Sequence, residues 1–226
     1  MSLRIESPDT RFLTERANRA APGLLGLLLY RHLPPDNHLV ARIVEVEAYR
    51  QDDPAAHSFR GPSRRNQTMF GPPGFAYVYL IYGMHHCLNV VSAPEGVGDA
   101  ILIRAAEPLA GVSTIRRLRN PGPGSIKTPR LLAGPGSLCK GLGIRKETED
   151  GVSLVGRGSL RLAKAVELVG EEEDPGGAPG WRFEARTPAR IEATRRIGIT
   201  QAPEEPWRFV DPESPSLSRR DVSPER

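Results

Sequence analysis

Glu45, Glu47 and Tyr49 are spaced two residues apart in a stretch, Leu39 to Tyr49, that alternates well enough to read as a strand. Successive strand side chains face opposite ways. Val44, Val46 and Ala48 therefore fall on one face and Glu45, Glu47 and Tyr49 on the other, about 7 Å apart. A carboxylate able to serve as a general base, beside an aromatic plate, would then line one pocket. Alternation alone leaves open which of the two acids does so, and a glutamate on a strand's outer face is most often simply solvated. Tyr77, Tyr79 and Tyr82 fall in a second short strand and its turn, with Tyr79 facing opposite to Tyr82. One could stack inside a pocket while the other protrudes from a hairpin tip beside Gly83, where an exposed aromatic suits a wedge between stacked bases; packing under loops is the ordinary alternative. His57, in the loop after the first strand, is equally ambiguous on its own. The chain has no phosphate-binding glycine loop, metalloprotease histidine pair, nucleophile-elbow serine or deaminase cysteine pair.

The elements that must position these residues follow from turn formers and periodicity. Ser7-Pro8-Asp9 starts a helix over residues 8–20, which Pro22-Gly23 ends. An apolar run, Leu24 to Leu29, precedes the Leu39–Tyr49 strand. Residues 50–74, rich in turn formers and carrying Arg60, Arg64 and Arg65, make a long loop of the kind that often serves function. Phe75–Tyr82 turns at Gly83-Met84 into His85–Ser92, and Gly96 and Gly98 allow a turn into Ala100–Ala105. Helices are predicted over Leu109–Leu118 and near Ser137–Leu142, with short strands returning around Ala189–Ile199. The fold expected is α+β: a curved, largely antiparallel sheet of about four strands, flanking helices and a protruding β-hairpin. It spans one domain, residues 1–212, with a frayed polar tail over 213–226.

Bulk properties agree with a compact, loop-rich protein. A chain of 226 residues with 38% hydrophobic content, 23 glycines and 22 prolines can build one large core. The net charge of +4 only permits an acidic partner. Its distribution says more, because Leu102 to Lys146 holds Arg104, Arg116, Arg117, Arg119, Lys127, Arg130, Lys140, Arg145 and Lys146 against Glu107 alone. Acids collect instead at Glu171, Glu172, Glu173 and Asp174, which suggests one basic face. Two cysteines, Cys87 and Cys139, are too few for a disulfide framework or a cysteine zinc site and read as packing residues in a reducing compartment. With no signal-peptide flanks and no bilayer-spanning run, the expectation is a soluble intracellular protein, in the cytoplasm and nucleoid or in a nucleus.

The order of motifs is recognisable. Glu47-Ala48-Tyr49, Ala55-Ala56-His57-Ser58, Arg65-Asn66, Met69-Phe70, the run Tyr77 to Met84, and Cys87-Leu88-Asn89 succeed one another. Leu102-Ile103-Arg104-Ala105, Glu107-Pro108-Leu109, Gly134-Pro135, Leu138-Cys139 and Arg196-Ile197-Gly198 continue the series. This resembles the alkyladenine (3-methyladenine) DNA glycosylase family over most of residues 24–210. The resemblance implies that Glu47 is the general base, that Arg104 helps hold the attacking water, and that the main-chain carbonyl of Ile197 is the water's third ligand. It implies that Tyr49, His57 and Tyr79 sandwich a flipped base, that Asn89 screens purine edges, and that Tyr82 enters the minor groove. Met84, His85, Arg64 and Arg65 are expected at the DNA beside it. Ser63, where a threonine is common, and His85-His86, where aromatics often sit, depart from the family pattern and bear on lesion preference and duplex grip.

The function so implied is that of a monofunctional glycosylase of base excision repair. It would take alkylated or deaminated purines of the 3-methyladenine, 7-methylguanine, hypoxanthine and ethenoadenine class out of double-stranded DNA, as a monomer, with no cofactor, metal or membrane. Bifunctional enzymes attack with an amine, and none of Lys127, Lys140, Lys146 and Lys164 falls in a matched motif. Two rival readings are a nucleic-acid-binding module without chemistry and a hydrolase of free nucleosides. The first has no use for Glu47, the second none for a protruding Tyr82 or the positive stretch.

Overall fold

The computed structural model describes residues 2–120, 122, 124–169 and 180–219. In chain order its strands are β1 (Ser2–Glu6), β2 (Leu28–Leu33), β3 (Asn37–Tyr49), β4 (Ala76–Ile81), β5 (His85–Ser92), β6 (Asp99–Ala110), β7 (Leu160–Ala163), β8 (Ala165–Val169), β9 (Trp181–Glu184), β10 (Glu192–Thr194) and β11 (Arg208–Val210). Its helices are α1 (Ala17–Ala20), α2 (Val112–Arg119), α3 (Pro135–Leu142) and α4 (Lys146–Glu149). Strands β10, β11, β3, β6, β5 and β4 lie side by side in that order, and β2 bridges β3 to β7. β1, β8 and β9 form a separate three-stranded sheet. All these pairings are antiparallel. The class is α+β in a single domain, as expected, but the main sheet has eight strands rather than about four.

The long strand β3 changes its core-facing parity midway, and that change sets up the site. Leu39, Ala41 and Ile43 belong to the main core, and so do Val46 and Ala48. Pairing with β6 slips on both sides of Glu45, leaving Val44 and Arg104 without a direct partner across this ladder. An irregularity of this kind bends the strand and re-aims its side chains. Glu47 and Tyr49 consequently point away from the main core. Val44, expected beside Val46 and Ala48, packs instead with Ala105, Val210 and Leu217. Leu138, Cys139 and Leu142 of α3 and Ile115 of α2 seal the main core from the opposite side.

The segment predicted as a helix over residues 8–20 is broken into single turns, with 3₁₀ turns at Arg11–Thr14 and Ala21–Leu24 around the short α1. Local chemistry explains the break. The Asp9 carboxylate accepts from the Arg11 main-chain N–H and guanidinium rather than capping a helix. The Leu13 and Glu15 carbonyls accept from the Ala93 N–H instead of from a following helical turn. The 50–74 loop keeps its expected irregular course around one 3₁₀ turn, Gln67–Phe70. Asn66 ties the loop together, accepting from Ser63 and donating to the His57 and Gly61 carbonyls. Beneath it Met69, Tyr77, Val91 and Ala100 form a small second core.

Only Glu192–Thr194 of the expected strand region 189–199 is a strand, and its partner β11 lies further along the chain. Within residues 213–219, expected to fray, Ser214, Ser216 and Leu217 are buried and Ser218 bonds the carboxylate of Glu45, while Glu213, Pro215 and Arg219 are exposed. Residues 220–226 of that expected tail lie outside the described residues, as does the acidic run Glu171–Asp174. Among the described residues no helix is long and apolar enough to cross a membrane.

Candidate active site

Directly paired residues of neighbouring strands share a face, so register alone aligns one row across the sheet. Tyr77 pairs with Asn89, Asn89 with Leu102, Leu102 with Glu47 and Glu47 with Arg208. Beside this row, Tyr79 pairs with Cys87 and Tyr49 with Ala100. The face they share forms the floor of a cavity of about 370 Å³, within the range usual for small-molecule sites. Tyr49, His57, Tyr79, Asn89, Arg104 and Ile197 all line it.

The structure separates the two acids that alternation could not. Glu45 is fully buried and its carboxylate accepts from Arg104 Nε at 3.2 Å, Arg208 Nε at 2.7 Å, and the Ser218 N–H and hydroxyl at 2.6 and 2.7 Å. Of these donors only Arg104 lines the cavity, whereas Arg208 and Ser218 hold the carboxylate from outside it, which leaves Glu45 a structural role. Glu47 accepts on Oε2 from the Tyr49 hydroxyl at 2.8 Å and Arg104 Nη1 at 3.1 Å, and on Oε1 from the Ile197 N–H at 2.7 Å. It too is fully buried, but all three donor residues line the cavity, so its carboxylate lies immediately behind the wall. With a single donor, Oε1 retains a lone pair. For Ile197 the expectation concerned its carbonyl; the contact that fixes this residue to Glu47 is made by its N–H.

The aromatic residues are held in defined states. Burial, reinforced by the Glu47 charge, pushes the Tyr49 phenol well above its ordinary pKa of 10, so it remains a donor. Burial also raises Tyr77 and Tyr79. The His57 and Tyr79 rings meet edge to face, with centroids 4.5 Å apart and planes at 77°, while His57 Nδ1 lies 3.0 Å from the Tyr77 hydroxyl. Although His57 is open to solvent on one side, the surrounding protein, and then the Arg65 charge, lower its pKa below the ordinary 6.5. A neutral imidazole leaves a cationic ligand unopposed. Asn89 donates from Nδ2 to the Tyr77 carbonyl at 3.0 Å, which fixes the amide and leaves its oxygen for a ligand's edge.

The depressed His57 pKa has a consequence for stability. Below about pH 6.5 the unfolded chain takes up a proton that the folded imidazole resists, so this group's contribution to stability falls as pH drops toward its folded-state pKa. Melting curves of the wild type and His57→Asn should therefore differ less favourably for the wild type at pH 5 than at pH 7.5. A gap independent of pH would show that the imidazole titrates normally.

At the rim, Tyr82 and Gly83 both have positive φ, 53° and 69°, and the Met84 N–H donates to the Ile81 carbonyl. This is the geometry of a type I′ hairpin turn. It leaves Tyr82 82% exposed and Met84 69% exposed, with Tyr82 and His85 also at the cavity mouth. Gly136 permits the close approach of α3 to this rim, since a Cβ there would lie 3.2 Å from the His85 ring. Arg64 and Arg65 are exposed in the 50–74 loop.

Several residues of the site escaped sequence reasoning. Cys87, read as packing, is a cavity wall beside Tyr79, its thiol kept protonated by burial; its two-residue spacing from Asn89 was the available signal. Arg196 lies 4.8 Å from the Tyr49 ring centroid and is tied to the buried Asp53 and the Ala48 carbonyl, which anchors the segment carrying Ile197. The positive stretch is only partly a surface. Arg104 is buried between the glutamates, and Arg116, Arg119 and Arg130 donate to the carbonyls of Ile126, Leu131 and Leu217. Lys140 and Arg119 line a groove that shares His85, Pro135 and Gly136 with the cavity mouth. Among the described residues no group of three or more His, Cys, Asp or Glu could hold a metal ion.

The chain matches the methylpurine-DNA glycosylase (MPG) family over residues 11–215. It is 42% identical over 207 residues to a protein of Synechococcus sp. provisionally assigned as a 3-methyladenine DNA glycosylase, covering 92% of this chain and 96% of the relative. Proteins with the same provisional assignment are 38% identical over 209 residues in Cutibacterium acnes, covering 91% and 96%, and 42% identical over 200 residues in Methanoculleus marisnigri, covering 88% and 92%. Similarity of this extent spans every strand that builds the cavity, and the chain belongs to the methylpurine-DNA glycosylase family.

Proposed function

We propose that this chain is a monofunctional glycosylase that everts alkylated or deaminated purines from duplex DNA and hydrolyses their N-glycosidic bond with water activated by Glu47. Membership of the family makes it a DNA repair glycosylase; the lesion class and the mechanism are our reading. The observation that carries it is the Glu47 carboxylate, held by three donors immediately behind the wall of an aromatic cavity.

C1′ cannot be reached inside a stacked duplex, and extrusion costs a few kcal/mol. Stacking on aromatic side chains contributes about 1–3 kcal/mol per base, and a cationic alkylpurine over tyrosine adds about 0.5–2 kcal/mol. Tyr49, His57 and Tyr79 can thus offset eversion for a damaged base while Tyr82 fills the gap it leaves. As the C1′–N bond breaks, its electron pair leaves with the base and positive charge develops on the sugar. Glu47 opposes that charge and takes a proton from water as the water oxygen bonds C1′, with Arg104 orienting the water. A cationic purine departs as a neutral base and needs no acid, whereas a neutral lesion departs with its electron pair as an anion and takes up one proton to become the free base. The products are free base and an abasic site.

A release assay over duplexes carrying 3-methyladenine, 7-methylguanine, hypoxanthine or ethenoadenine tests the reading. Expected is release of at least one free base with an intact strand and no borohydride-trappable adduct. Release of none from the panel would overturn the substrate class, and a trapped adduct the monofunctional mechanism.

A further inference from the structure

Arg104 is shared between two buried carboxylates on nearly equal terms, 3.2 Å from Glu45 through Nε and 3.1 Å from Glu47 through Nη1. Both contacts are long beside the 2.7 Å between Arg208 and Glu45. A guanidinium so placed settles where the competition between its acceptors leaves it, and the charge of Glu45 that remains uncompensated decides how hard it pulls. Arg208 supplies one compensation. The other comes from Ser218, whose N–H and hydroxyl bond both oxygens of Glu45 at 2.6 and 2.7 Å. Ser218 lies beyond residues 11–215, over which the family matches.

We infer that Ser218 is a positioning residue for base release, acting through Glu45 on Arg104: by satisfying Glu45 it leaves Arg104 free to reach Glu47 and the reacting water. This rests on the glycosylase reading proposed above. The segment is built to present this residue. Leu217 is buried against Val44, Ala105 and Val210, directly over the bulge that displaces Arg104. Arg130 donates to the Leu217 carbonyl at 2.7 Å and to the Ser218 carbonyl at 3.3 Å, and Arg208 donates to the Arg219 carbonyl at 2.9 Å. Main-chain anchoring thus holds the hydroxyl on Glu45 from both sides. Neither Ser218 nor Arg130 lines the cavity; Ser218 touches Glu45 itself, and the tie from Arg130 to that carboxylate runs through the main chain of Leu217 and Ser218.

The test is single-turnover base release from a lesion duplex at saturating protein, with lesion affinity measured separately on the Glu47→Gln background so that no base departs. Ser218→Ala should slow release about tenfold while leaving the lesion-duplex Kd within about twofold, and Ser218→Thr, which restores a hydroxyl, should recover the rate. If Ser218→Ala fails to fold, Arg130→Gln, which loosens the segment from outside, should slow release at saturating protein about threefold, more than it raises the lesion-duplex Kd. Wild-type rates in Ser218→Ala, or in Arg130→Gln where that variant decides, overturn the inference. So does loss of rate and affinity in equal measure, or failure of threonine to restore the rate. A wild type that releases no base sinks the glycosylase reading itself, whereas an active wild type matched by Ser218→Ala sinks this inference alone.

Discussion

Glu47→Gln is expected to lower the single-turnover rate of base release by about 10³-fold while lesion binding stays within about tenfold. The substitution keeps the shape of the side chain and removes its charge and basicity together. It also disturbs the donors around it: Tyr49, Arg104 and Ile197 all point N–H or O–H groups at the carboxylate, and an amide offers only one oxygen to accept them. One donor is left facing an NH₂ group, at a cost of about 1–3 kcal/mol in a buried site. Arg104 still has Glu45 as a buried counterion, so the fold should survive with a lowered melting temperature. The reading requires that rate collapse and binding persist. Loss of both in step with the melting temperature would assign Glu47 to folding instead, and persistence of both would show that base release does not depend on the Glu47 carboxylate.

How much of this site could be read in the chain depends on which residues obey a period. Glu47, Tyr49, Tyr79 and Asn89 sit on regular strand stretches, so alternation with a strand order would place them on one face, and the cavity brings them together. Glu45 and Val44 lie at the bulge, where the period breaks, and alternation there put Val44 on the wrong side. Arg104 is the extra residue of the same bulge, so its position between the glutamates follows from a register slip that no local pattern announces. The strands of three to five residues, β7 through β11, carry too few alternations to be read, and β11 matters because it delivers Arg208 to Glu45. Residues 213–219 failed for a different reason. Their serines and prolines read as solvated chain, and what holds them is a buried carboxylate more than 150 positions earlier.

Tyr82→Gly should weaken turnover on a lesion duplex by about 10–100-fold at subsaturating protein, and turnover on the same lesion in single-stranded DNA by less than about threefold. The choice of glycine matters more than the loss of the ring. Tyr82 holds φ at 53°, a conformation that costs an L-residue with a side chain about 1–2 kcal/mol and a glycine almost nothing. Its ring is 82% exposed, so removing it sacrifices little packing. Folding alone therefore predicts that Tyr82→Gly is as stable as the wild type or slightly more so, whereas most substitutions at an active site confuse lost function with lost stability. The turn keeps its two positive-φ residues, and the Met84 N–H keeps its bond to Ile81. What the variant lacks is an aromatic body to occupy the stack when a nucleotide leaves it, and only a duplex has a stack worth filling. Equal losses on duplex and single strand would mean that Tyr82 serves the cavity mouth rather than the helix. A drop in melting temperature would mean that its ring packs in solution against something beyond the turn.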